Sequence, residues 1–252
     1  MKNFKFINAL RMAVLGAALF LSACATRPLI VLDSGHNPVR SSGAISVRGI
    51  NEVDYNDIFT GELERAFAQA GWQVVMTRKP EEDRSLDERA AIANETAPLV
   101  FLSIHHDSTQ LENLAEIKTA YQPAYRTKHP IAGSSLHISI DNPHYDDSLR
   151  FATLVGEELQ AVGRKFNLDH ANPSYERPLP LVNADYAIYR HDLLRVLRTT
   201  TVPAVLLEVG VIVDIDDEEL ARNADERQKL ISAIVKAADK YRKQTKASWR
   251  KK

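Results

Sequence analysis

Pro98-Leu99-Val100-Phe101-Leu102-Ser103-Ile104-His105-His106-Asp107 is an apolar run that ends in two histidines and an aspartate. Its shortness and its β-branched and aromatic content predict a buried strand. Two other runs end in a similar way. Leu29-Ile30-Val31-Leu32 leads into Asp33-Ser34-Gly35-His36, and Val202-Pro203-Ala204-Val205-Leu206-Leu207 leads into Glu208-Val209-Gly210. In open α/β sheets, ligands gather just beyond the carboxyl ends of parallel strands. Two histidines and a carboxylate delivered there by separate strands predict one site, with the donor types of a zinc site.

The segments between these runs read as helices and further strands. Val53, Ile58, Phe59, Leu63, Phe67 and Ala70 form a helical stripe that stops at Gly71. Trp72–Thr77 reads as a strand, and Ser85-Leu86-Asp87-Glu88 as a capping box opening a short helix. Ser135–Ile140 alternates like a strand, and Leu149–Val162 carries another helical stripe. The last helix shows Leu230, Ile231, Ile234, Val235, Ala238 and Tyr241 on one side. This alternation predicts the α/β class: a single three-layer domain with a mostly parallel central sheet flanked by helices. Two connections break the rhythm. Ser108–Gly133 has no clear period and reads as a lid, a binding loop or a mobile insertion. Asn167–Asp185 holds three prolines and carries His170, which could line a pocket.

A chain of 252 residues with 44% hydrophobic and 26% charged side chains suffices for one well-buried domain without disulfides. The net charge of −1 and the lack of a long basic block argue against nucleic acid as a partner. At the N-terminus, Lys2, Lys5 and Arg11 accompany the apolar stretch Met12–Leu21, which is too short to span a bilayer. Leu21-Ser22-Ala23-Cys24 resembles a bacterial lipoprotein box, and Cys24 is the single cysteine of the chain. That resemblance implies a signal peptide over 1–23, lipidation of Cys24 and a short tether over 24–28. Ala25 resembles the sorting pattern of outer-membrane lipoproteins, which in a diderm host implies an envelope protein facing the periplasm. The catalytic domain is expected over 29–243, followed by a basic tail over 244–252.

The candidate site residues have ordinary readings as well. Neighbours on a strand point to opposite faces, so only one of His105 and His106 can face a given ion. Asp33 and Asp107 could fix a ligand imidazole, or simply cap the following turns. Glu52 opens the first helix, where the helix dipole favours a carboxylate with no function attached. Glu208 follows six uncharged residues, Val202–Leu207, and a carboxylate there is costly unless paired or beside a metal.

Several segments, in order, resemble the zinc-dependent N-acetylmuramoyl-L-alanine amidases of the family-3 type. They are Val31–His36, Gly49-x-x-Glu52, Val75-Met76-Thr77-Arg78, Leu86-x-x-Arg89, Ala93-Asn94, Phe101–His105 and Pro203–Gly210. The likeness spans Leu29 to Tyr241. The chain departs from the family's pattern at Ser34, at Asn37-Pro38 and at His106. The resemblance implies Zn2+ as cofactor, with His36, Glu52 and His105 as metal ligands and Glu208 as the catalytic carboxylate. It implies hydrolysis of the amide between the lactyl group of N-acetylmuramic acid and the L-alanine of the stem peptide. The partners implied are peptidoglycan, the membrane through a lipid anchor, and a protein activator. Related amidases are restrained by a helix over the site, a role available to Leu111–Ala120, while Arg40, Arg48 and Arg177 could meet stem-peptide carboxylates. The same donors also suit a zinc carboxypeptidase-like reaction on another envelope amide. A non-catalytic wall-binding or regulatory lipoprotein is a third reading.

Overall fold

The computed structural model describes residues 27–249, so the expected signal peptide and Cys24 lie outside the described residues. The sheet has seven strands: β1 (Leu29–Ser34), β2 (Gln73–Met76), β3 (Val100–Asp107), β6 (Ser135–Ile138), β7 (Leu181–Asn183), β8 (Ile188–Arg190) and β9 (Ala204–Val211). Their spatial order is β2-β1-β3-β9-β6-β8-β7. The first four run parallel, β6 is antiparallel to β9 but parallel to β8, and β7 is antiparallel to β8.

Both faces of this sheet are covered, which explains why its strands read as continuous apolar runs rather than alternating ones. Ile30, Leu32, Leu102, Ile104, Val205 and Leu207 pack on one side against α1 (Glu52–Gln69), α3 (Tyr145–Ala161) and α6 (Ala224–Trp249), through Phe59, Leu63, Phe67, Phe151, Val155, Ile234 and Tyr241. Val31, Phe101, Ala204 and Leu206 pack on the other against α2 (Leu86–Thr96) and α4 (Arg195–Thr199), through Ala93, Val196 and Leu197. The three-layer expectation holds. The capping box at Ser85 forms with both of its hydrogen bonds. Among the described residues, no helix is long and apolar enough to cross a membrane. The last helix runs through Trp249, past the tail boundary expected at 244.

The segment after β3 is not the helix expected over Leu111–Ala120. A single 3-10 turn at Leu111–Asn113 leads into a hairpin, β4 (Leu114–Lys118) and β5 (Pro123–Thr127). Ala115-Glu116-Ile117-Lys118 alternates in exposure, as a strand does. Thr119 closes the turn, its hydroxyl accepting from the Tyr121 and Gln122 amides and donating to the Gln122 carbonyl. Leu114 and Ile131 then seat the hairpin on Val211 and Val213, which leaves a helical face nothing to cover.

The C-terminal half of β9 is tied to the start of β6 by a buried ion pair. Asp217, in α5 (Ile215–Arg222), receives Arg164 through both guanidinium nitrogens at 2.5 and 2.8 Å. The same carboxylate accepts from the amides of Val211 and Gly133. Burial pulls the Asp217 carboxyl up, but the Arg164 bonds outweigh it and hold it below the usual range. Removing one partner strands the other charge in the interior. Asp217→Ala is therefore expected to cost about 3–5 kcal/mol, read as a fall in urea midpoint at an unchanged m-value.

Candidate metal centre

Three elements each deliver one polar group to the carboxyl end of the parallel strands. His36 follows β1, Glu52 is the first residue of α1, and His105 lies near the end of β3. Glu52 Oε2 is 3.0 Å from His36 Nε2, and Oε1 is 3.0 Å from His105 Nδ1. The ligand-capable atoms of the trio all lie within 4.8 Å of one another. Glu52 also accepts from the Ala44 and His106 amides and from Asn56 Nδ2. Burial raises the Glu52 carboxyl, but hydrogen bonds and charge from His105 and His36 win and hold it well below the ordinary value.

Sheet register explains the placement. Glu208 on β9 pairs with His105 on β3 and with Ser135 on β6. The Gly35 amide donates to the Ile104 carbonyl, which continues the ladder at the edge nearest β1. Gly35, His105, Glu208 and Ser135 thus form one rung across four strands. A Cβ on Gly35 would stand 2.3 Å from His105 Nε2, so only glycine leaves room for that ring. Gly43 adopts φ +79°, and a Cβ there would meet Glu52 Oε2 at 2.4 Å.

The turn that carries His36 is held from behind by two arginines buried to within 2% of complete. Arg78 donates to the carbonyls of Ser34 at 3.0 Å and Gly35 at 3.1 Å. Arg89 donates to the Ser34 carbonyl at 2.7 Å and to the His36 carbonyl. Asp57 and Asp33 supply the counter-charges. His36 itself sits at φ +60°, a conformation that a non-glycine residue keeps only when its surroundings impose it.

Glu208 is the strand neighbour of His105. Its Oε2 is buried and has no hydrogen-bond partner among the described residues. Burial, with the charges of Asp107 and Glu52 behind it, pushes its carboxyl well above the ordinary range. An orphaned buried carboxylate oxygen is expensive, and a nearby dication would relieve it. Two imidazoles and a carboxylate with an open side fit a divalent cation, and the His36 and His105 side chains are 26% and 18% exposed.

One expectation holds and others change. His106 points away from the trio, to the opposite face, as strand alternation requires. It bonds Asn56 Oδ1 at 2.8 Å, lies against Tyr55 and Phe59, and burial pushes its pKa down to about 3. Asp33 contacts no ligand imidazole, because Arg89, Thr77 and Ser103 take its oxygens. Asp107 does hold an imidazole, but that of His170, at 2.7 Å. Arg48 pairs with Glu218 and Glu219, and Arg40 with Asp83, while both arginines stay exposed. Sequence reasoning overlooked the work of Arg78 and Arg89. An arginine two residues past the apolar strand Val74-Val75-Met76 is the signal that could have revealed the first.

Residues 30–240 match the family model described as N-acetylmuramoyl-L-alanine amidase. The chain belongs to that family. A probable cell wall amidase, LytH of Staphylococcus aureus, is 27% identical over 207 residues, covering 82% of this chain and 55% of the relative. The chain thus spans about half the length of that curated relative. The N-acetylmuramyl-L-alanine amidase Ami1 of Mycobacterium smegmatis shares the fold at TM-score 0.65 and 21% identity, over 85% of this chain and 96% of that one. The CwlD amidase of Clostridioides difficile, solved in complex with the GerS lipoprotein, shares it at TM-score 0.62 and 19% identity, over 85% and 98%. Membership in the amidase family and the tight packing at the first rung position make one expectation sharp. Gly35→Ala should keep its far-UV spectrum yet bind metal about 10–100-fold more weakly in chelator competition, because the His105 ring must move.

Proposed function

We propose that this chain is a zinc-dependent hydrolase of the amide between the lactyl group of N-acetylmuramic acid and the L-alanine of peptidoglycan stem peptides. One observation carries the reading: His36, Glu52 and His105 converge, and Glu208, paired in register with His105 on the next strand, keeps a buried oxygen without a partner among the described residues. Two histidines and one glutamate leave a coordination position open, as in catalytic rather than structural zinc sites. A zinc ion held there would supply Lewis-acid polarisation of the scissile carbonyl and acidify a water molecule towards about pKa 7.

The rest falls to the chain itself. The Glu208 carboxylate takes the proton of the attacking water and returns it to the leaving amine nitrogen. Its neighbour His105 fixes the distance between that carboxylate and the ligand trio through the β3–β9 register. Glu52 holds both imidazoles in position, and the Arg78–Arg89 clasp keeps His36 from drifting. Glu208→Ala should fold and bind zinc but lose turnover by about 10²–10⁴-fold, a range typical of removing a general base. Mass analysis of products released from sacculi tests the bond cleaved. Intact stem peptides and peptide-free glycan are expected, whereas trimmed stems would mark a carboxypeptidase instead.

A lipid at Cys24 would keep the enzyme beside its polymeric substrate, on the outer membrane facing the periplasm. The lipoprotein-box resemblance supports this, and acylation through several chains on one cysteine anchors firmly. A protein activator is a further partner, in keeping with the GerS lipoprotein seen on the CwlD amidase. Full-length protein expressed with radiolabelled palmitate should carry label in the membrane fraction, and Cys24→Ser should abolish it.

A further inference from the structure

The long loop after α3 carries a histidine into the site that the reaction above does not use. His170 Nε2 is 2.7 Å from Asp107 Oδ2, and its ring stands edge-on to His137 at 5.4 Å and to Tyr189 at 5.5 Å. Asp107 lies two residues beyond His105 on β3, and His137 two residues beyond Ser135 on β6. Because β6 is antiparallel to β9, these contacts lie on opposite sides of the Glu208–Ser135 rung. A ring touching both must cross that rung. With β9 lying between β3 and β6, His170 thus spans the strand of Glu208, from Asp107 on one side to His137 on the other.

The placement is built. Asn167 Nδ2 also donates to Asp107, and the Tyr189 hydroxyl donates to the Asn167 carbonyl. Asp169 accepts from Thr109 and Tyr175, and Asn113 donates to both of those hydroxyls. These bonds stitch the loop to the segment that leaves β3. His170 Nδ1 is left without a protein partner among the described residues, on a side chain 20% exposed. Burial draws the ring towards neutrality, but the charge and hydrogen bond of Asp107 prevail and raise its pKa. The buried His137 beside it is driven the other way, first by desolvation and then by His170 and His191. The cluster thus holds one imidazole suited to carrying charge, with one free donor.

We infer that His170, oriented by Asp107, is the specificity residue that receives a carboxylate of the stem peptide just beyond the scissile amide. This rests on the amidase reading. The leaving nitrogen must sit within reach of Glu208, and His36 and His105 approach β9 from the β1 and β3 side. The peptide beyond the nitrogen is therefore carried towards β6, over His170. In peptidoglycan the residue after L-alanine is a glutamate whose α-carboxyl is free in some walls and amidated in others. A single N–H donor on a charged ring favours the free acid, since hydrogen bonds to ionised groups are roughly twice as strong as neutral ones.

The test compares two muropeptides that differ only in that group, carboxylate or carboxamide. Wild-type zinc-loaded enzyme should show a KM about tenfold lower for the acid, the ratio expected of one charge-assisted hydrogen bond. His170→Gln should raise KM for the acid by about that factor, with the loss in KM rather than kcat, so that the preference vanishes. An indifferent wild type overturns the proposal, as does a folded His170→Gln with its preference intact or with equal losses on both substrates. A second readout needs no substitution at 170. In zinc-loaded Glu208→Gln, the His170 ring resonances should shift on titration with the acid peptide and not with the amide. Equal or absent shifts overturn the subsite. Should the wild type release no stem peptide from either substrate while those shifts appear, the amidase reading fails and the carboxylate site stands.

Discussion

The site is organised around the two oxygens of Glu52. Each lies 3.0 Å from a different imidazole nitrogen, in a pocket where the glutamate is only 5% exposed. A carboxylate so deeply buried is tolerable only with charge or hydrogen bonds on every lone pair. The Ala44 and His106 amides and Asn56 meet part of that need, and the two rings meet the rest. Each of those partners comes from a different stretch of chain. Glu52 is thus the knot through which the β1 turn, the first helix and the end of β3 constrain one another. The two glycines beside it serve the same end, giving up side chains so that His105 and Glu52 can occupy the space.

Charge then explains why the strand face looks as it does. Glu52, Glu208 and Asp107 are three neighbouring carboxylates, and the charges of Asp107 and Glu52 add to the cost of ionising the buried Glu208. Protein groups offset two of them: the imidazole pair at Glu52, and His170 at Asp107. Glu208 alone is left with an oxygen that nothing in the described chain satisfies. A fold selected only for stability would have placed a hydrogen-bond donor or an apolar side chain there. Keeping the orphan where a cation can relieve it marks the position as one where function outweighs stability.

Much of this was legible in the chain. The three apolar runs ending in His36, His105 and Glu208 disclosed both the sheet and the location of the site, because buried parallel strands are continuous in hydrophobicity and end at the functional edge. Glu52 was legible only through resemblance, since a carboxylate in a first helical turn is unremarkable by itself. The partners of the acidic residues were not legible at all. Asp33 pairs with Arg89, 56 residues away, and Asp107 with His170, 63 residues away, and no periodicity encodes such pairings. The Leu111–Ala120 expectation failed for a related reason. Whether a short, sparsely apolar segment becomes helix or hairpin is decided by the surface it lands on, here Val211 and Val213.

That hairpin also bears on how the site is governed. A lid must lift without disturbing the groups it covers. β4–β5 is bolted to the turn just before α1: Gln122 Nε2 donates to the Gly49 carbonyl and to Asn51 Oδ1, each at 3.1 Å. Gly49 adopts φ +79° and lies so close to Thr119 that a Cβ would meet its hydroxyl at 2.3 Å. At its other end, Thr127 is tied through amide and hydroxyl to Val213 and Asp214. Moving the hairpin would drag residues 49–51, and with them the first turn of α1 and Glu52. The segment behaves as a fixed wall, with Asn113 at its base tied to the His170 loop through Tyr175. The His36 and His105 side chains stay partly exposed beside it, so the hairpin does not seal them off.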